Sequence, residues 1–118
     1  MAIVSSHILD SVNGGFAIGI RVALFRLIGE AEKHKLFEVK ADAEGRIAES
    51  VEIVGGSDNC EYELEIHSAE YFAGQPLPAE KNSAMKTVVI RFSMSDSVKR
   101  HHLPLMLSPY SYSVWSSK

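Results

Sequence analysis

The sequence predicts an all-β fold: a two-sheet β-sandwich of about eight short strands with one short helix. Three observations carry that expectation. Short apolar runs recur at close intervals, separated by turn residues. Several of them alternate apolar and polar positions, the period of a strand with one wet and one buried face. The chain of 118 residues is 46% hydrophobic, enough to bury a core, and it reads as one domain over residues 1–118.

The first strand is expected near Ile3–Asp10 and is closed by Asn13-Gly14-Gly15. Gly14 and Gly15 are expected to supply the positive φ of a tight turn. Arg21–Ile28 is apolar on both faces, Val22 and Leu24 on one and Phe25 and Leu27 on the other. It reads as a strand buried on both sides. Leu36–Lys40 is a short alternating strand. Asp42-Ala43-Glu44-Gly45 is a turn, after which Arg46–Ala48 begins another strand. Gly55–Asn59 is a loop. Glu61, Glu63 and Glu65 alternate with Tyr62, Leu64 and Ile66, the clearest strand of the chain, and Cys60 shares the buried parity of Tyr62.

Ser68–Gly74 is the helical candidate, with a Ser N-cap and a Gly stop. At that length it depends on tertiary packing. Gln75–Ser83, with Pro76 and Pro78, is a loop. Lys86–Ser93 alternates, with Val88, Ile90 and Phe92 on one face, and Met94–Arg100 turns the chain. His101–Ser108 is a strand with Leu103, Leu105 and Leu107 on one face. Pro104 lacks an N–H, so this strand is expected at an edge or with a bulge. Ser111–Trp115 is a last short strand.

Composition excludes several classes. Lys and Arg total 12 against 15 Asp and Glu, a net charge of −3, so charge gives no support for nucleic-acid binding. One cysteine, Cys60, rules out an intramolecular disulfide. The apolar-leaning stretch Phe16–Ile28 is interrupted by Gly19, Arg21 and Arg26, so no membrane span is expected. The first residues show no basic region followed by an apolar one. A cytoplasmic location is the resulting expectation.

Five histidines are available for chemistry: His7, His34, His67, His101 and His102. None stands in a zinc-type spacing with cysteine or another histidine, so no metal site is expected. Nucleophile-elbow and phosphate-loop patterns are absent. His101 and His102 leave opposite faces of one strand. His101 shares parity with the leucine row, and His102 with Pro104, Met106 and Ser108. Taken alone, His7 is a core-edge histidine and Arg46 a solvated cation at a strand start.

Three segments together go further. Ser6-His7-Ile8-Leu9-Asp10, Asp42-Ala43-Glu44-Gly45-Arg46 and His102-Leu103-Pro104-Leu105-Met106-Leu107-Ser108-Pro109-Tyr110-Ser111-Tyr112-Ser113 resemble, in order, the motifs of the 5-hydroxyisourate hydrolase branch of the transthyretin-like family. Tyr62-Glu63-Leu64, Ala69–Ala73 and Ile90-Arg91-Phe92 are similar to its intervening elements. The resemblance spans essentially the whole chain. It implies a transthyretin-like sandwich that assembles as a homotetramer, a dimer of dimers, with sites where dimers meet. It implies hydrolysis of 5-hydroxyisourate to 2-oxo-4-hydroxy-4-carboxy-5-ureidoimidazoline in urate breakdown. His7, Arg46 and His102 are its catalytic set. Arg100, Ser113, Trp115 and Ser116 are assigned by position to substrate binding. A small-molecule substrate and no cofactor follow from the same scheme.

Two departures mark this chain. The branch usually ends Tyr-Arg-Gly-Ser, where this one reads Trp115-Ser116-Ser117-Lys118. The family pattern His-x-His becomes Arg100-His101-His102. A substituted ring, such as an N-methylated 5-hydroxyisourate, is therefore an alternative substrate, and a non-catalytic ligand-binding tetramer is an alternative function.

Overall fold

The computed structural model describes residues 1–53, 60–76, 84–94 and 98–116. The expected loop at Gly55–Asn59, most of the loop at Gln75–Ser83, part of the turn at Met94–Arg100, and Ser117 and Lys118 lie outside them. The elements are β1 (Ala2–Asp10), β2 (Gly15–Phe16), β3 (Arg21–Ile28), β4 (Glu32–Lys40), β5 (Arg46–Val51), β6 (Glu61–Ile66), α1 (Ser68–Ala73), β7 (Val88–Ser93), β8 (Arg100–His102), β9 (Leu105–Leu107) and β10 (Tyr112–Val114). They form two sheets, as the alternation predicts.

One sheet is organised around β1. Its first half pairs with β5 on one side and β8 on the other, its second half with β2 and β9, and β10 extends the sheet beyond β9. The other sheet runs β4-β3-β6-β7, all antiparallel. Between them lie Val4 and Ile8 of β1, Val22 and Leu24 of β3, Tyr62, Leu64 and Ile66 of β6, and the row Leu103, Leu105, Leu107. Each such side chain contributes about 1.5–3 kcal/mol when withdrawn from water. Phe72 of α1 joins this core, which explains how so short a helix persists.

Several expectations need correction. β4 is longer than Leu36–Lys40, because Glu32–Leu36 is exposed on both faces and carries no hydropathy period. β3 is buried on both sides only over Val22–Leu24. A bulge follows Leu24, and beyond it Phe25 lies under the Lys33 ammonium at 4.5 Å from its ring centre. The helix N-cap is His67, without a side-chain capping bond, and Ser68 is the first helical residue. Gly14 takes a positive φ but Gly15 does not.

Pro104 produces no bulge, and the expected edge position holds for β8, whose partner among the described strands is β1 alone, but not for β9. The ladder lapses at Leu103-Pro104, yet Ile3 pairs with Arg100 and Ile8 with Leu105, five steps on each strand. Register is conserved across the break, and β9 sits between β1 and β10. Leu103 N–H still reaches Ser5 O at 2.9 Å, and Ser6 Oγ donates to Leu103 O at 2.6 Å. The proline falls where one ladder bond is dispensable.

Candidate active site

Strand register decides which side chains share a face. Paired residues point to the same side of a sheet. Ser5 pairs with Ala48 and His102, His7 with Arg46, Ile3 with Arg100, and Leu9 with Phe16 and Met106. Ser113 pairs with Met106. All of these therefore lie on the face of the β1 sheet that points away from the core. The parity assigned to His102 and Met106 is thus observed. His101 points inward beside Phe92, with ring centres 6.4 Å apart.

Arg46 is delivered by a tight turn. Asp42 Oδ1 accepts the backbone N–H groups of Glu44 and Arg46 at 2.9 and 3.0 Å. Gly45 has φ +72 and lies tight against β1: a Cβ there would meet Ile8 O at 2.5 Å. Gly45 O in turn accepts Ile8 N–H at 2.8 Å. Only glycine allows this turn to lie so close on β1. The two backbone bonds, then the charges of Arg46 and His7, hold the Asp42 carboxyl below its usual range.

A concavity of about 310 Å³ opens on this face, lined by Ser5, Ser6, Asp42, Arg46, Ile47, Ala48, Arg100 and His102. Arg46, from across β1, and Arg100, two residues before His102 on β8, thus share the concavity with it. His102 Nδ1 is 2.8 Å from Ser5 Oγ, and Arg100 Nε donates to the same oxygen at a longer 3.4 Å. Burial pushes the His102 imidazole below its ordinary value, and the positive charges of Arg100, Arg46 and His7 push the same way. Among the described residues the Arg46 side chain has no ion-pair partner.

The residues expected to form the site are only partly gathered. Arg46, Arg100 and His102 share the concavity. His7 is the cross-strand neighbour of Arg46 but does not line it. Its ring packs on Phe16 at 5.5 Å between centres, and its Nε2 is buried without a hydrogen-bond partner among the described residues. Ser113, Trp115 and Ser116 lie outside the concavity, exposed toward the β10 side. Trp115 N–H reaches Pro104 O at 3.4 Å, which brings the chain end back along the same sheet. Sequence reasoning missed Ser5. Its signal was available: Ser5 and His7 are two apart on one strand and so share a face.

Among the described residues no group of three or more His, Cys, Asp or Glu side chains is arranged to hold a metal. The site chemistry is a neutral-leaning imidazole beside two guanidiniums, with a fixed carboxylate at one wall. That set suits an oxygen-rich planar ligand carrying partial or full negative charge.

A family model described as the HIUase/Transthyretin family matches residues 4–116. A protein of Mesorhizobium japonicum named 5-hydroxyisourate hydrolase is 36% identical over 112 residues, covering 94% of this chain and 88% of that one. A Rhizobium meliloti protein named 5-hydroxyisourate hydrolase 2 is 32% identical over 111 residues, covering 94% and 92%. Among solved structures, the 5-hydroxyisourate hydrolase of Klebsiella pneumoniae superposes with a TM-score of 0.75 at 28% identity, each chain fully covered. An (S)-allantoin synthase superposes with a TM-score of 0.79 at 26% identity, and this chain spans 44% of that larger protein.

Proposed function

The chain belongs to the HIUase/Transthyretin family, and from that premise we propose that it is a hydrolase of 5-hydroxyisourate, acting in purine catabolism. Relatives at 32% and 36% identity carry that name over nearly their whole length. The observation that carries the reading is the meeting of Arg46, Arg100 and His102 around one concavity.

The reaction is addition of water to a ring amide. The water oxygen bonds to the carbonyl carbon, and the carbonyl oxygen takes up negative charge. The carbon–nitrogen bond then breaks. One water proton goes to a base and the departing nitrogen gains a proton, so the product is the ring-opened acid, 2-oxo-4-hydroxy-4-carboxy-5-ureidoimidazoline. Imidazoles suit the proton transfers because they titrate near neutrality. Arg46, charged at every relevant pH and lacking an ion pair among the described residues, offers a planar fork for the substrate's oxygens. His7, Arg46 and His102 are the catalytic residues of this reading. Arg100, Ser113, Trp115 and Ser116 contact substrate in it, the last three from the β10 side.

Assembly completes the reading. Phe16 and Met106 leave large apolar surface on the same face as the polar cluster, and Trp115 is exposed just beyond β10. Joining copies across this face covers that surface and shuts water out of the site. A homotetramer, a dimer of dimers, is the assembly we propose.

The altered end Trp115-Ser116 favours a second reading, the same chemistry on a substituted ring such as an N-methylated 5-hydroxyisourate. The test is decay of freshly made 5-hydroxyisourate, followed in the ultraviolet with and without protein beside its methylated analogue. Acceleration of the parent compound supports the first reading. Acceleration of the analogue alone supports the second. A folded protein that accelerates neither, yet binds them saturably, is a ligand-binding module.

A further inference from the structure

The hydrogen bonds behind His102 constrain where its proton sits. Ser5 is buried, and among the described residues its Oγ has two polar side-chain partners, His102 Nδ1 at 2.8 Å and Arg100 Nε at 3.4 Å. A guanidinium donates and never accepts. Arg100 therefore uses one of the two lone pairs of Ser5 Oγ as a donor, and among the described residues the acceptor within reach of the Ser5 hydroxyl proton is His102 Nδ1. An imidazole that accepts at Nδ1 carries its proton on Nε2. Nε2 makes no hydrogen bond to a described residue, while His102 itself lines the concavity.

From this geometry we propose that Arg100 and Ser5 are positioning residues that fix the His102 proton on Nε2, so that this imidazole meets the substrate as a hydrogen-bond donor. The inference rests on the hydrolytic reading above and assigns a role within it. The Nε2–H points to where charge develops on the attacked carbonyl oxygen, and the N–H bond stays intact through the step. Taking the proton from water then falls to another group, and His7 is the other imidazole of the catalytic set.

The opposite arrangement is disfavoured. Protonating Nδ1 places two donors on Ser5 Oγ and strands the Ser5 hydroxyl proton in a buried site. Protonating both nitrogens instead makes a cation beside the guanidiniums of Arg100 on its own strand and Arg46 on β5, with His7 on β1 as the other titratable imidazole facing it and Asp42 before β5 as the carboxylate on the same concavity. A permanently charged Arg100 at this position keeps the pressure constant with pH, which a histidine there does not.

The test reads the proton directly, by nitrogen-15 NMR of the histidine rings in the labelled full chain, with His102 assigned through His102→Gln. In the wild-type protein at neutral pH, Nδ1 is expected to carry the unprotonated shift and Nε2 the protonated one. Ser5→Ala is expected to mix the tautomers, Ser5→Thr to restore them, and Arg100→Gln to raise the His102 titration midpoint. In kinetics Ser5→Ala lowers kcat by about 10-fold with little change in KM, less than the roughly 100-fold loss of removing an oxyanion donor outright. A proton on Nδ1 in the wild type overturns the proposal, as does a tautomer indifferent to Ser5→Ala. Should Ser5→Ala not fold, an unmoved midpoint in Arg100→Gln, whose side chain is exposed, overturns the part assigned to Arg100. The expected NMR pattern in a protein without turnover supports the tautomer assignment and removes the substrate instead.

Discussion

Tyr71 Oη donates a 2.6 Å hydrogen bond to Asp10 Oδ2, joining residues 61 positions apart in the chain. Asp10 is buried at the end of β1, and its carboxylate also accepts the backbone N–H groups of Val12 and Asn13. The bond ties α1 to the strand on which the β1 sheet is built. Burial alone raises the Asp10 carboxyl, but the bonds from Tyr71, Asn13 and Val12 outweigh it and leave it below 3.8. Burial and the adjoining Asp10 push the Tyr71 phenol upward.

Tyr71→Phe is therefore expected to lose about 1–2 kcal/mol at pH 7, with the remaining Asp10 bonds limiting the damage. Because the Asp10 carboxyl is held low, its contribution is fully present above the ordinary carboxylate value and fades as pH falls through the folded one. The gap between wild type and Tyr71→Phe should narrow toward pH 3. Urea denaturation at pH 7, 5 and 3 measures it. A constant gap across that range places the loss in packing rather than in the Asp10 bond.

Gly45→Ala should be among the most damaging single-methyl changes. The added Cβ meets Ile8 O at 2.5 Å and sits on a positive φ. A loss above about 2 kcal/mol is expected, with the turnover of any folded fraction reduced because Arg46 is the next residue. Thermal melting together with activity per folded molecule checks both parts. A melting point within a degree of wild type contradicts the turn geometry.

The sequence made much of this legible, and for identifiable reasons. Glu61–Ile66 and the Leu103, Leu105, Leu107 row alternate because each has one face in the core, so period alone locates them. The same parity placed His102 outward and His101 inward. What escaped was whatever the core does not touch. The Glu32–Leu36 part of β4 is wet on both faces, so nothing in its hydropathy marks a strand. The lapse at Pro104 keeps register, which depends on β1 and not on the local sequence. Ser5 is a small residue in an apolar stretch, and its bond to His102 spans 97 positions. The distance of Ser113, Trp115 and Ser116 from the concavity was likewise invisible to motif matching, which carries no three-dimensional range.

His101 gives a pH prediction of the opposite chemical kind. Burial pushes its imidazole below 6.5, and its Nε2 lacks a partner among the described residues. As pH falls below 6.5, the unfolded chain takes up the proton first, so folding stability declines. His102, also pushed down, acts in the same window. His101→Phe should stay within about 1 kcal/mol of wild type at pH 7 and gain on it steadily toward pH 5. Chemical denaturation at those two pH values decides. Parallel stability curves would show that His101 takes up its proton as readily in the folded protein as in the unfolded chain.

Arg46→Lys separates charge from shape at the site. Lysine keeps the cation and loses the planar fork. Turnover should drop by about 10- to 100-fold, mostly in kcat, while the melting point stays close to wild type because Arg46 is exposed and lacks an ion pair among the described residues. Steady-state kinetics beside a thermal melt gives both numbers. Equal activity in the two proteins leaves Arg46 as a general counter-charge without a directional role.

The most direct measurement is the decay of 5-hydroxyisourate in a rapid ultraviolet assay, run with wild type, His102→Ala and no protein side by side. Hydrolysis at this site predicts acceleration proportional to wild-type concentration, and a fall of about 100-fold or more in His102→Ala with the fold and assembly retained. A folded wild-type protein that leaves the spontaneous rate unchanged, or a His102→Ala variant as fast as wild type, contradicts it.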